Sequence, residues 1–321
     1  SMFGAFSGFD TMEECFEDLA PLIHAFETGL SSDPPMNWRL SALDRLQIIS
    51  NSDAHSPAKL GREANLLDIP LSYDGLYSAI QEGRGLKGTI EFFPEEGKYH
   101  YDGHRKCNLC LSPREAEQYQ GKCPVCGKKL TLGVSHRIAQ LADREEGFLR
   151  PGAASFESLV PLPEVIGACM GCSAASVKVG RQYQEMLARL GPEFFILREC
   201  SLDEIQKHCG YQIAEGIRRL RQGKVQRFPG FDGEYGVIKL FEPSELETTE
   251  GQLSLFDLGR MNLDGGAVRA AGVSEEYGES GRTGELGEFG APGRDETQGE
   301  SGKPDGIGMT GESEKTDVIA M

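Results

Sequence analysis

The chain has 321 residues, of which 39% are hydrophobic and 26% are charged, and its formal net charge is −17. This composition predicts a soluble globular protein of two or three domains with a polar appendage. No apolar run approaches the ~20 residues of a membrane span, and no signal peptide is recognisable at the N-terminus, so a membrane partner is not expected. The acidic average does not exclude nucleic acid, because it includes an acidic tail.

Residues 1–88 show alternating helix and strand patterns, which predict parallel strands as in one side of a (β/α) barrel. The segment is too short for a whole barrel of ~250 residues. Thr11 and Glu14 form a capping-box pattern that predicts a helix start. The other predicted elements are strands at 23–26 and 46–49 and helices at 39–46 and 76–80, the last ended by Gly83 and Gly85.

The strand at 46–49 ends in polar residues that include Asp53 and His55, two positions apart. The carboxyl ends of strands in α/β proteins commonly hold ligands and metals. A carboxylate and an imidazole at i and i+2 of an extended segment point toward one site and suit a metal. The ordinary alternative for a bare pair is a turn-capping aspartate beside a solvated histidine.

The longer string, SDAH followed by proline and LGREAN, resembles the last metal-binding motif of PHP phosphoesterases, and more narrowly endonuclease Q. The resemblance implies a distorted (β/α) barrel in which Asp53 and His55 are catalytic ligands of divalent zinc, manganese or magnesium. It implies cleavage of DNA on the 5′ side of deaminated bases. The family's other motifs begin with His-x-His, which this sequence lacks, so the N-terminal part of the catalytic domain is expected to be missing. Glu27 matches an acidic strand end of the family, in a supporting or structural role.

A hairpin is predicted next, with strands at 89–93 and 98–101. Two Cys-x2-Cys pairs then follow, separated by twelve residues. Four thiolates at this spacing suit tetrahedral zinc with no open position, which predicts a structural zinc site. The nine cysteines are an odd number, and with this spacing they favour a reducing cytoplasm over a disulfide framework. The predicted ligands are Cys107, Cys110, Cys123 and Cys126.

The zinc module is followed by a predicted strand at 130–134 and helix at 136–144, with His136, Arg137 and Arg144 as donors for DNA phosphates. Spacing alone fits a solvated helix face equally well. This string resembles the segment after the zinc site in endonuclease Q, and the resemblance favours DNA contact.

The C-terminal part is predicted to contain an apolar connector at 156–166, a helix at 178–190, a helix from Ser201 to Gly223, and a strand at 237–241. Basic residues near the end of the second helix precede an aromatic, glycine-spaced string, a combination suited to an unpaired strand or an extruded base. Helix-dipole stabilisation and a hairpin core are the alternatives. The predicted DNA contacts are Arg218, Arg219, Arg221, Lys224, Arg227, Phe231 and Tyr235.

Residues 259–321 are rich in glycine and glutamate and are predicted to be disordered. The preceding string QLSLF resembles the bacterial sliding-clamp-binding motif. Gln252 would form hydrogen bonds, and Leu255 and Phe256, together with Leu253, would contact an apolar cleft. Local packing is the alternative. The motif predicts a bacterial β sliding clamp as partner and a cytoplasmic, nucleoid-associated protein.

Four segments are therefore expected. They are a partial PHP domain (1–88), a zinc module (89–150), an α+β DNA-binding domain (151–245) and a tail (246–321).

The leading hypothesis for the function is a metal-dependent DNA-repair endonuclease acting at uracil, hypoxanthine, xanthine or abasic sites. The alternatives are a non-catalytic, zinc-stabilised DNA-binding adaptor on the clamp, and a phosphatase of the histidinol-phosphatase type that acts on a small phosphate ester.

Overall fold

The computed structural model describes residues 8–246, which form a mixed α/β structure, as predicted. The strands are β1 (Ala25–Glu27), β2 (Gln47–Ile49), β3 (Ala64–Leu67), β4 (Leu86–Glu91), β5 (Asp102–His104), β6 (Leu109–Leu111), β7 (Ser155–Ser158), β8 (Gln226–Phe228) and β9 (Val237–Lys239). The helices are α1 (Met12–Phe16), α2 (Pro34–Asn37), α3 (Tyr73–Glu82), α4 (Pro113–Gln118), α5 (Val134–Leu141), α6 (Leu162–Cys169), α7 (Val177–Leu190), α8 (Glu193–Arg198), α9 (Leu202–Cys209) and α10 (Tyr211–Arg221).

The N-terminal segment contains the predicted parallel pair, with β1 beside β2 and Glu27 opposite Ile49. The capping box of Thr11 and Glu14 is confirmed at the start of α1. The helix predicted over 39–46 is wrong, since only a 3-10 turn at Ser41–Leu43 forms there. Leu40, Leu43 and Leu46 are buried, and their backbones are joined by i to i+3 hydrogen bonds, so their spacing of three matches the 3-10 repeat.

A three-stranded sheet connects distant parts of the chain, in the order β3-β4-β7. Strand β4 is antiparallel to β3 and parallel to β7. The hairpin predicted from 89–93 and 98–101 is wrong, because both edges of β4 are already paired. The chain makes a 3-10 turn at Pro94–Glu96, and Tyr101 bonds instead to the Gly230 carbonyl at 3.0 Å.

The zinc-module region contains a small hairpin, β5–β6, followed by α4 and α5. The strand predicted at 130–134 does not form, since Thr131 makes only an isolated bridge to Gly103. The following helix is shorter than predicted and begins after Gly133.

Helices α6 to α10 pack into the largest core of the described residues, whose fully buried members include Leu162, Ile166, Met186 and Ile217. The predicted connector at 156–166 instead includes most of β7 and the first turn of α6. Proline is tolerated in that turn because the first backbone N–H groups of a helix have no partner within the helix. Helix α7 agrees with prediction. The single helix predicted from Ser201 is divided into α9 and α10 at Gly210, whose φ is 86°.

Within residues 8–246, no helix combines the length and apolarity that crossing a bilayer requires. The predicted clamp motif at 252–256 and the predicted disordered tail lie outside the described residues.

Candidate metal and DNA-binding sites

The loop after β2 carries the predicted metal ligands at the end of the parallel pair. Its first residue is held by reciprocal hydrogen bonds, because Ser50 N donates to Asn65 Oδ1 at 3.0 Å and Asn65 Nδ2 donates to the Ser50 carbonyl at 2.8 Å. Farther along, Arg62 Nε donates to the Ser52 carbonyl at 2.9 Å. The loop therefore leaves the sheet in a fixed direction.

Asp53 and His55 are both exposed in this loop. His55 Nδ1 donates to the backbone carbonyl of Asp53 at 2.9 Å, which leaves Nε2 as the ring's acceptor. A bond of this kind is the usual second contact of a metal-binding histidine. Asp53 has φ 45°, a backbone conformation that non-glycine residues rarely adopt and that is enriched at functional sites. Within residues 8–246, no third thiol, imidazole or carboxylate completes a metal group with this pair.

Two buried glutamates in the sheet beside this loop were not predicted from the sequence. Glu91 is fully buried, and it accepts hydrogen bonds from Thr28 Oγ1 at 2.9 Å and from Thr89 Oγ1. Glu63 is 3% exposed, and neither carboxylate oxygen has a hydrogen-bond partner among the described residues. Burial, followed by the charges of Glu91 and Glu27, raises the pKa of Glu63 to about 8. Glu63 directly precedes β3 and Glu91 ends β4, but sequence alone does not show that these strands pair.

The thiol cluster lies between the β5–β6 hairpin and the turn that follows α4. Its members are His104, Cys107, Cys123 and Cys126, and one ligand atom from each lies within 4.8 Å of the others. Backbone hydrogen bonds from Gly127 N to the Cys123 carbonyl and from Cys123 N to the Lys128 carbonyl shape the turn. Desolvation and the neighbouring thiols of Cys126 and Cys123 raise the pKa of Cys107 to about 11.

Cys110 lies outside this cluster, which differs from the predicted four-cysteine set. It pairs with Gly103 across the hairpin, one position from the pair of His104 and Leu109, so strand alternation places it on the opposite face. Its Sγ lies 3.8 Å from the Pro229 carbonyl. Three thiols and an imidazole also form a common structural zinc set, so the cluster fits zinc. The spacing His-x2-Cys from 104 to 107 was the signal for His104 in the sequence.

His136, predicted to contact DNA, is held by Asp102. Nδ1 of His136 donates to Asp102 Oδ2 at 2.6 Å, and the amide of Gly133 donates to Oδ1 at 2.7 Å. Asp102 is fully buried and His136 is 9% exposed. His136, Lys122 and Lys129, together with Glu117, line an open surface cavity of about 560 Å³.

All six arginines predicted to contact DNA make bonds within the protein. Arg144 pairs with Asp44, and Arg137 Nη2 lies 2.6 Å from Asp10 Oδ1. On α10, Arg221 donates to the carbonyls of Ile196, Leu197 and Cys200, at and just beyond the end of α8. The remaining pairs are Arg218 with Glu215 at 2.6 Å, Arg219 with Glu215 at 2.9 Å and Glu245 at 2.7 Å, and Arg227 with Glu95 at 2.8 Å.

The other predicted DNA contacts differ in exposure. Lys224 is exposed beyond the end of α10. Phe231 is partly buried against Gly103, where an added Cβ would lie 2.4 Å from the phenyl ring. Tyr235 is 74% exposed. The structure therefore brings Tyr235 to the surface and uses Phe231 in packing.

These features define an α/β chain with a Cys/His cluster that could hold a metal and with the fold of endonuclease Q. The crystal structure of a lesion-specific endonuclease Q from Pyrococcus furiosus matches with a TM-score of 0.67 and 27% identity, covering 77% of this chain and 64% of that chain. A structure of endonuclease Q with a 27-mer duplex containing an abasic lesion matches with a TM-score of 0.64 and 28% identity, covering 74% of this chain and 60% of that one. The resemblance to endonuclease Q inferred from the sequence is confirmed.

Two uncharacterised proteins are similar in sequence. MJ0043 of Methanocaldococcus jannaschii is 30% identical over 260 residues, which are 78% of this chain and 32% of that protein. YqxK of Bacillus subtilis is 31% identical over 224 residues, which are 68% of this chain and 53% of that protein. The chain thus spans between about a third and about half of these relatives. The family described as the MJ0043 C-terminal domain matches residues 161–224, which include α6 to α10.

Proposed function

We propose that the chain acts in DNA repair as part of an endonuclease that cuts the backbone 5′ of deaminated bases or abasic sites. Similarity to endonuclease Q in fold and sequence carries this proposal. The duplex bound in one of the related structures supports DNA as the partner, and its abasic lesion supports a damaged nucleotide as the target. Uracil, hypoxanthine and xanthine are the proposed deaminated bases.

The proposed catalytic ligands are Asp53 and His55. Their carboxylate and free Nε2 suit divalent zinc, manganese or magnesium, which would supply an activated water and stabilise charge on the scissile phosphate. Ser50 and Asn65 fix the start of the loop, and the Asp53 carbonyl orients the imidazole. The His55 ring therefore needs little reorientation to bind a metal.

The proposed structural metal is zinc in the cluster of His104, Cys107, Cys123 and Cys126. Four protein ligands leave no position for water, so this metal would stabilise the hairpin and take no part in hydrolysis. The surface cavity lined by His136, Lys122, Lys129 and Glu117 lies beside it, and its two lysines are proposed contacts for DNA phosphate.

A nicking assay tests the endonuclease. The chain is incubated with manganese and a duplex carrying uracil, hypoxanthine or an abasic site, and the variants Asp53→Asn and His55→Ala are compared with Asp68→Asn. Asp68 is an exposed acid paired with Lys87 at 3.3 Å, so its variant is the control. We expect nicking by the parent and the control, and binding without nicking by the two loop variants. Undiminished nicking by Asp53→Asn overturns the assignment of the site.

A second candidate is a non-catalytic DNA-binding adaptor. It is favoured by the absence of a third metal ligand near Asp53 and His55 among residues 8–246. Binding of the lesion duplex without nicking by the parent chain, with one zinc per chain, supports the adaptor.

In either case we propose that residues 252–256 bind the sliding clamp. Loss of clamp binding on changing Leu255 and Phe256 to alanine is the expected result.

A further inference from the structure

Two exposed tyrosines flank a lysine on the surface formed by residues 98–99 and the loop 230–236. Tyr99 is 47% exposed and Tyr235 is 74% exposed. Lys98 Nζ lies 5.8 Å from the Tyr99 ring centroid and 5.6 Å from that of Tyr235. We call Lys98, Tyr99 and Tyr235 the tyrosine platform. Two solvent-exposed aromatic rings beside a cation suit a ligand that has both a flat face and a negative charge.

The backbone beneath the platform is tied together. Gly233 N donates to the Lys98 carbonyl at 2.9 Å, Gly230 N to the Glu95 carbonyl at 2.8 Å, and Gly236 N to the Glu96 carbonyl at 3.1 Å. A Cβ on Gly236 would lie 1.9 Å from the Glu95 carbonyl oxygen, so only glycine permits this approach. The two tyrosines are therefore attached to a common base, which lowers the entropy lost when a ligand orders them.

The acidic side chains of the loop are paired elsewhere and do not neutralise Lys98. Asp232 accepts from Thr131 Oγ1 at 2.6 Å and from Arg105 N at 2.7 Å. Glu234 lies 2.5 Å from Arg105 Nε. Lys98 therefore gives the platform a positive charge, which favours an anionic ligand over an apolar protein surface, where lysine is depleted.

We propose that the tyrosine platform binds an unpaired base of DNA. Tyr99 and Tyr235 would stack on the base and Lys98 would contact the adjoining phosphate, as in sites for single strands. This inference rests on the proposed function, because it takes DNA as the partner. It adds Lys98 and Tyr99 to Tyr235 and assigns the three side chains a common ligand.

Fluorescence anisotropy with a labelled single-stranded oligonucleotide tests the platform in the full chain. Tyr235→Leu is expected to weaken binding about tenfold, since stacking on an aromatic ring contributes ~1–3 kcal/mol per base. Tyr235→Phe keeps the ring and should bind as the parent does. Lys98→Gln should reduce the slope of log affinity against log salt by about 0.7. Tyr73→Leu is the matched control, because Tyr73 is 77% exposed on helix α3.

The outcomes separate this inference from the proposed function. Equal affinity of the parent and Tyr235→Leu for the single strand overturns the platform while DNA binding stands. If Tyr235→Phe loses as much affinity for the single strand as Tyr235→Leu does, the platform is also overturned. The hydroxyl group, and not the ring, would then make the contact with DNA. If the parent binds no DNA, both proposals fall. Unchanged unfolding midpoints confirm that the variants are folded.

Discussion

His104 Nδ1 lies 3.5 Å from Cys126 Sγ, although 22 positions separate the two residues in the chain. We predict that His104→Ala lowers zinc affinity by more than the ~10–100-fold typical of losing a supporting contact, because a direct ligand is removed. Chelator competition measures the affinity. Cys110→Ser is the control, and zinc loss in this variant with retention in His104→Ala would restore the four-cysteine site.

The unpaired carboxylate of Glu63 predicts a pH-dependent stability. Its pKa is about 8 in the folded protein because of burial and the charges of Glu91 and Glu27, with Arg62 opposing them. Its ordinary value is 4.5, so between pH 4.5 and 8 the folded state binds more protons and the free energy of unfolding falls as pH rises. Glu63→Gln should remove this share of the pH dependence, while the shares of Glu91 and Glu96, whose pKa values burial raises to about 7 and about 8, remain. It should stabilise the protein at pH 8 by on the order of 3 kcal/mol.

Fluorescence of Trp38, the single tryptophan, measures that stability, since it is 7% exposed and lies 5.7 Å from Phe156 between ring centroids. Denaturant titrations at pH 5 and pH 8 give the profile. The exposed Glu117→Gln is the control. An unchanged pH profile in Glu63→Gln would show that this carboxylate is not the source of the dependence.

Arg221 and Lys224 distinguish structural from DNA-binding cations at the end of α10. Arg221→Ala leaves the carbonyls of Ile196, Leu197 and Cys200 without this donor and should destabilise the protein by about 1–3 kcal/mol. It should not alter the salt dependence of DNA binding. Lys224→Ala should do the reverse, with unchanged unfolding and a smaller salt slope. A reduced slope in a folded Arg221→Ala protein would contradict the structural role.

The hydrogen bond between Asp102 and His136 should make a large contribution to stability. Asp102→Ala leaves the Gly133 amide and His136 Nδ1 without their buried acceptor, which should cost about 2–4 kcal/mol. Asp10→Asn, at an exposed pair with Arg137, should cost less than about 1 kcal/mol. Thermal unfolding of both variants makes the comparison, and equal small losses would show that the buried bond is dispensable.

Sequence patterns predicted the elements whose signals are local. The cap at Thr11, the helix α7 and the glycine end of α3 at Gly83 all depend on residues within one or two turns. The cysteine spacing likewise located three members of the Cys/His cluster. The structure groups His104 with them in place of the predicted Cys110, and this difference depends on the register of the β5–β6 hairpin, which the sequence does not show.

Features that depend on pairing across long distances were not predictable. Strand β4 pairs with β3, which precedes it in the chain, and with β7, which follows it after a long connection. Nothing in the sequence of β4 indicates that β7 is its second partner. The basic run of α10 indicated a nucleic-acid surface, but its arginines face Glu215, Glu245 and backbone carbonyls. Whether a cation is free depends on contacts that neither composition nor periodicity describes.

The parallel pairing of β4 with β7 makes residues 92–154 a single crossover connection. Such connections usually consist of a helix, whereas this one contains the Cys/His cluster. A bound ion would crosslink positions 104 to 126 inside the connection and shorten the effective loop that must close before β7 can join the sheet. Because non-local pairing limits folding rates, metal binding is expected to speed the pairing of β7 with β4. Zinc starvation should then lower the yield of folded protein.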